Sequence, residues 1–433
     1  MDGLPKLRRP HNRLGAMGPS HSFSSSPVRQ SNALMPANPT FHEHFAGPQF
    51  FENKTPYHYF RLGHGRSSDR PFKLFVPITF DTYGDFINSV HLTLQFAARF
   101  EHSITTFALV FNRPYKRAIL KLYPLRMHLV VCKTNEALAR LNLQFFEPSH
   151  WADGLEYQVY RDPAEIVSNV HWQDFVFLPN QQQHVFSPDK PMVPFRIPEA
   201  SVAELHEGLV KLGLDESRWF CCMHYREPNY RWKPVSNMRD CDPDVYLPLI
   251  DYVIDRLGGQ IIRIGHPEMR DYPPRPGFVD LAKIENSTLL QAYAASRTRF
   301  CISGPGGGAC MFYPFDAPMG FVDSGGWMDG AYQHSFLLTH TVVTPDGKTL
   351  RQDALFQSGL MNQRALDIEM HKRPGFHIVK CTTEEICRVA DFMYDRTSGS
   401  DGWRTPPSVP TGSYDNCFAW PMQGEIRPKF IDL

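Results

Sequence analysis

Four short segments place reactive or anion-holding groups where a folded chain could use them. The run Ser303-Gly304-Pro305-Gly306-Gly307-Gly308-Ala309 follows a short apolar segment, and a helix is expected from Ala309. Glycines let backbone N–H groups come close to an anion, and a helix start adds partial positive charge, so a diphosphate is the natural guest. The alternative is a plain flexible turn. The run has neither the GxGxxG spacing of a dinucleotide loop nor the GK[ST] of a Walker loop. His224-Tyr225-Arg226 closes the apolar run Trp219–Tyr225. Arginine offers a planar fork to phosphate oxygens, and histidine can donate to a phosphate or take a proton. The competing reading is a surface arginine and a packed histidine.

Arg263, in Arg263-Ile264-Gly265-His266, lies inside another apolar run. A buried guanidinium needs a partner, here either a phosphate or a carboxylate such as Glu268 or Asp271. Gly84-Asp85 falls in a strand-to-helix turn near the start of the chain. Its carboxylate is a candidate general base for an acceptor hydroxyl, or simply a favourable residue at a helix N-terminus. Asp240-Cys241-Asp242 imitates a metal-holding Asp-x-Asp. Because Pro243 follows and a helix comes next, Asp242 is expected to be an N-cap with proline at the first helical position. His42, His44, His58 and His64 lack zinc spacing. No metal site is expected.

These groups need a frame, and strand-helix alternation supplies one. Apolar runs at 73–80, 104–111 and 127–132 read as strands, with helices over 86–100 and 136–143. Residues 145–200 are Pro-rich and aromatic, and part of them is expected to connect two domains. A second series has strands at 219–225, 260–265, 299–303 and 319–323, with helices at 202–212, 244–257 and 287–296. Such alternation implies parallel sheets with right-handed crossovers. The reading is α/β, with two Rossmann-like domains facing across a cleft. Residues 1–45 form a disordered arm, 46–195 the first domain and 196–433 the second.

Bulk properties exclude several classes. The 433 residues carry 45 Lys plus Arg and 45 Asp plus Glu, so the basic excess of a nucleic-acid binder is missing. No apolar run is long enough for a transmembrane segment, and no secretory signal opens the chain. Nine cysteines are scattered as reduced thiols would be, with Cys221-Cys222 filling core on opposite faces of one strand. A cytoplasmic location is expected.

The second half resembles a family of poorly characterised bacterial glycosyltransferase-like proteins of the GT-B kind. The matching pieces are CMHYREPNY (222–230), the run from Arg239 to Met269, AASRTRFCISGPGGG (294–308) and the later THTVVTPDGKTL and TTEEI. The His-x-Arg at 224–226 is also similar to the motif of the fucosyltransferase group, where the arginine contacts the donor diphosphate. The Gly84-Asp85 turn looks like the first turn of heptosyltransferase-type enzymes, whose aspartate serves as base. The resemblance implies a GT-B-like enzyme moving a hexosyl or deoxyhexosyl unit from a nucleotide-sugar donor to a hydroxyl of a glycan, protein or small molecule. By motif it places Arg226 and the Ser303–Gly308 loop at the donor phosphates and carries over Asp85 as base. Joined to the reading of the residues above, donor contacts fall to Arg226, Arg263, Ser303, Gly304, Gly306, Gly307 and Gly308, with Asp85 and His224 catalytic and no cofactor or metal. The alternatives are a nucleotide-sugar epimerase or hydrolase, and a non-catalytic module binding a phosphorylated ligand or a protein.

Overall fold

The computed structural model describes residues 73–132, 192–228, 239–324, 335–348 and 375–397, less a few single positions, and the short pieces 59–60, 159–160 and 175–177. The expected arm and the histidines at 42, 44, 58 and 64 lie outside the described residues. Of the helix expected at 136–143 only Leu138 is described, helical and buried, its N–H donating to Thr134 O at 3.1 Å.

The first sheet is built on β2 (Lys73–Ile78), β3 (Ile104–Leu109) and β4 (Met127–Val131). β2 and β3 are near-continuous apolar runs, as strands covered on both faces must be, and every residue of β3 is buried. The sheet order is β1-β6-β2-β3-β4-β5, with β1 at Tyr59–Phe60, β5 at Val159–Tyr160 and β6 at Phe175–Phe177. All pairs are parallel except β1 with β6. Part of the stretch read as a connection, 145–200, therefore supplies two strands to this sheet.

Helix α1, Tyr83–Ala97, follows β2. It is buried nearly all round, including the polar Ser89, His91, Thr93 and Gln95. A buried polar group must find a partner. Ser89 and Thr93 hydroxyls donate to the carbonyls of Asp85 and Ser89, each at 2.7 Å. Gln95 exchanges two hydrogen bonds with the backbone of Val193. Residues 192–197 also reach the second half, where Phe195 N–H donates to Pro314 O at 2.7 Å. Helix α2, Pro114–Leu120, follows β3.

The second sheet contains β7 (Phe220–His224), β8 (Gln260–Arg263), β9 (Phe278–Asp280), β10 (Cys301–Ser303), β11 (Met319–Ser324) and β12 (Ser335–Thr339). Its order is β12-β11-β10-β7-β8-β9, parallel throughout. The chain runs outward from β7 to β9, then returns to lay β10 on the other side of β7. The doubly wound order has one place where direction reverses, between β7 and β10, and ligands of such sheets bind outside the strand ends there.

Helices α3 (Glu199–Lys211) and α6 (Thr288–Arg297) cover this sheet's connections. The single helix expected at 244–257 is broken into α4 (Pro243–Tyr246), α5 (Pro248–Asp251) and a wider turn at Tyr252–Arg256. Pro248 has no N–H to donate, so the ladder cannot run through it. Helix α7, Thr383–Arg396, opens with a capping box in which Thr382 and Glu385 satisfy each other's backbone N–H groups. It packs on β11 at Gly320, where a Cβ would lie 2.5 Å from Val389 Cγ1. Cys221 and Cys222 are both buried in β7, and burial pushes the Cys222 thiol up to about 12.

Candidate functional site

At the reversal point Ser303 sits directly opposite His224 in the ladder, and Gly304 N–H donates to His224 O at 2.8 Å. The glycine loop thus leaves β10 bonded to the last residue of β7. The Ser303 hydroxyl donates to Gly304 O at 3.0 Å and is fully buried, so it braces the loop from below.

The imidazole of His224 lies under that loop. A Cβ on Gly308 would stand 2.4 Å from its Nδ1 and Cε1, and one on Gly306 2.7 Å from its Nε2. Those glycines are required because the ring occupies the side-chain space. Gly304 is required in the same way, with Tyr246 Oη 2.7 Å and Cys241 Sγ 2.9 Å from its Cβ position. His224 Nδ1 is 3.3 Å from Ile264 O, and a carbonyl only accepts, so Nδ1 carries the proton. Nε2 is then a bare lone pair. It is buried and has no partner among the described residues. Burial drives the pKa down to about 4, against the Ile264 hydrogen bond that raises it, with nearby His266 lowering it further.

The loop's own donors are also open. Among the described residues no acceptor faces the backbone N–H of Gly306, Gly307 or Gly308. Gly307 is exposed and Gly306 half-buried. Successive free amides in a turn make a concavity suited to an anion.

Arg226 stands beside the loop, its Cβ 3.2 Å from the Gly306 Cβ position. Its Nε lies 2.9 Å from Asp240 Oδ1, as an ion pair whose angle is not that of a hydrogen bond. Both side chains are largely buried, and Lys380 donates to the Asp240 carbonyl.

The first sheet reaches the same spot. A Cβ on Gly84, in the first turn of α1, would be 2.6 Å from Gly307 Cα and 3.1 Å from Cys310 Sγ. The carboxyl end of β2 therefore meets the carboxyl end of β10 through two glycine backbones. Asp85, next in line, is exposed in that first turn and accepts from the Thr82 hydroxyl.

No family model matches the chain, and no curated protein matches it. Among solved structures, one described as a glycosyl transferase family 9 from Veillonella parvula is 11% identical, over 76% of this chain and 99% of that one, at a TM-score of 0.42. The ADP-heptose lps heptosyltransferase II of E. coli is 10% identical, over 70% of this chain and 98% of that one, at a TM-score of 0.39.

Several sequence expectations need correction. Arg263 is not at the loop. Its side chain is fully buried, and its guanidinium donates to both carboxylate oxygens of Asp280, to Tyr225 Oη and to Arg270 O. The partner is a carboxylate, but Asp280 rather than Glu268 or Asp271. Burial tends to lower its pKa, yet the Asp280 and Tyr225 bonds leave it raised. The helix expected from Ala309 is two short 3₁₀ turns, Ala309–Met311 and Tyr313–Phe315. No long helix dipole then backs the loop, and its amides act alone. In the Asp-x-Asp pattern, Asp242 accepts from Asp244 N–H as an N-cap while Asp240 pairs with Arg226.

Sequence reading overlooked the support beneath Gly304. Asp323, at the end of β11, is buried with φ of 55° and accepts from Tyr246 Oη at 2.9 Å and from Cys381 N–H at 2.6 Å. Nothing in the local pattern marked Asp323, because its partners come from α4 and from the start of α7.

Proposed function

We propose that the protein is a glycosyltransferase that takes a hexosyl or deoxyhexosyl unit from a nucleotide-sugar donor bound at the reversal point of the second sheet. The observation that carries this reading is the open polar inventory there. Among the described residues three neighbouring loop amides lack acceptors, Arg226 flanks them, and the carboxyl end of the first sheet closes on the same loop through Gly84.

In this reading the donor diphosphate lies on the Gly306–Gly308 amides with Arg226 beside it. Fixed N–H groups stabilise charge as it grows on the leaving diphosphate, without reorganising at the moment of transfer. Of the Asp-x-Asp carboxylates, Asp242 caps α4 and Asp240 pairs with Arg226, so in this reading charge compensation falls mainly to the loop amides. The acceptor hydroxyl enters from the first-sheet side, where Asp85 is exposed and able to take its proton. The close approach of the halves at Gly84 and Gly307 would limit water at the reacting carbon.

The test is thermal unfolding against nucleoside diphosphates and nucleotide sugars, for the wild type and Arg226→Ala. A ligand at a hundredfold excess over its dissociation constant stabilises by ~2.7 kcal/mol. One nucleotide should raise the midpoint in the wild type and much less in the variant. If that nucleotide's sugar is changed in place while the diphosphate stays intact, the protein is an epimerase. Binding with no turnover on any acceptor, unaffected by Asp85→Asn, would make it a binding module.

A further inference from the structure

The proposed donor site contains one group of the wrong polarity for an anion, the bare Nε2 lone pair of His224 beneath amides that all donate. Left neutral, that lone pair repels a phosphate. Protonated, it adds a positive charge and an N–H on the inner side of the same loop. We propose, resting on the donor reading above, that His224 is a proton-linked charge compensator: it binds a proton from solvent when a diphosphate occupies the loop and releases it when the diphosphate leaves.

The geometry supports a role through the loop rather than by direct contact, since Gly306 and Gly308 lie between the ring and the outside. His224 is thus a positioning and charge-balancing residue. The free protein keeps it neutral through burial, and an anion within a few ångströms favours the charged form. The groups around it fit this exchange. His266, half-buried on the loop after β8, weakens the cationic form. On the other side Arg226 is balanced by Asp240, so the pair leaves little net charge. Gly304–Gly308 bring no titratable side chain; from α1 the Tyr83 side chain lies beside Gly307, its Cβ 3.9 Å from the Gly307 Cβ position, and Cys310 Sγ packs against Gly84 at the same contact. The donor anion is then the largest charge change His224 experiences.

The experiment is isothermal titration calorimetry with UDP-glucose, ADP-glucose and GDP-mannose in mildly acid buffers of different ionisation enthalpy. The diphosphate of a nucleotide sugar is a diester and has no proton to exchange in this range, so uptake belongs to the protein. The expected result is a buffer-dependent heat corresponding to fractional proton uptake in the wild type, absent in His224→Gln. The parent nucleoside, lacking phosphates, should give no uptake. If His224→Gln does not fold, the nucleoside comparison and the affinity of the wild type against pH still decide. Affinity for the nucleotide sugar should rise as pH falls through the mildly acid range. Binding with buffer-independent heats, or uptake that persists in His224→Gln, overturns the inference and leaves the donor reading standing. No binding heat with any of the three sugars, nor with their nucleoside diphosphates, overturns both.

Discussion

Two neighbouring strand ends of the second sheet treat their polar groups differently. At the end of β8, Arg263 has Asp280, Tyr225 and a carbonyl on its guanidinium, with no surface left exposed. Tyr225, buried between β7 and α4, stacks near Tyr246 at 5.2 Å and completes that framework. One strand over, past the end of β7, the polar groups are open: His224 Nε2 has no partner and three loop amides have no acceptor among the described residues. A buried polar group left unpaired is expensive. A chain that closes one corner completely and leaves the next unfilled has separated framework from site. Polar satisfaction, more than residue type, distinguishes them.

The strongest way to break this contrast is Arg263→Ala. Removing one partner of a buried ion pair costs ~3–5 kcal/mol, and a urea titration should find a loss of that order. The variant's nucleotide preference and proton uptake should stay those of the wild type wherever it remains folded. A variant of normal stability that no longer binds nucleotides would place Arg263 in the site and dissolve the distinction.

Acid titration sharpens the contrast from the other side. Burial holds His224 at about 4 and His91 at about 3, while the unfolded chain titrates near 6.5. A folded pKa below the unfolded one means that the unfolded state binds more protons as pH falls. Stability should therefore decline from about pH 6.5 downward, by up to ~1.4 kcal/mol per pH unit for each histidine, until the folded pKa is passed. Bound donor should flatten the share due to His224 and leave that of His91 unchanged. Equal flattening of both would point to general stabilisation, with no proton on His224.

Gly84→Ala addresses the contact that brings the first sheet to the loop. Its new Cβ would press on Gly307 Cα, a backbone atom with no rotamer to yield. Overpacking of this kind costs ~1–3 kcal/mol. The expected outcome is a modest loss of stability with a much larger loss of turnover, because the loop and the turn bearing Asp85 are forced apart. Loss of stability alone would reduce the contact to packing.

Much of this was legible in the sequence, and the limits have physical causes. The parallel strands were plain because strands buried on both faces, such as ITTFAL at β3, need no alternation to be recognised. The N-cap role of Asp242 followed from Pro243 and the helical pattern after it. Arg263 could be judged buried from its apolar neighbours, but its partner lies on a strand, β9, whose three residues gave no periodic signal. The glycine loop was recognised for its openness to an anion. That Gly304, Gly306 and Gly308 are also demanded by side chains beneath them depends on His224, Tyr246 and Cys241 arriving from other elements. The helix expected after the loop failed because Pro314, with no N–H to donate, breaks the ladder five residues in.

The smallest predicted effect compares satisfied amides with open ones. At α7 the N-terminal amide of Glu385 is held by the Thr382 hydroxyl, and the Thr382 amide by the Glu385 carboxylate. At the glycine loop comparable N–H groups are left for a ligand. Thr382→Ala should cost ~1 kcal/mol, the usual worth of a helix cap, read as a small drop in the thermal midpoint. The Thr382 and Glu385 groups are exposed to water, which replaces part of the lost bond and keeps the penalty low. Nucleotide binding should not move, since a capping amide has its acceptor already and competes for no anion. α7 is nonetheless tied to the site through Cys381 N–H, which donates to Asp323 beneath Tyr246 and Gly304. A binding loss in Thr382→Ala larger than its stability loss would therefore mean that the start of α7 sets the height of the glycine loop, and the site would extend one layer deeper than its open groups.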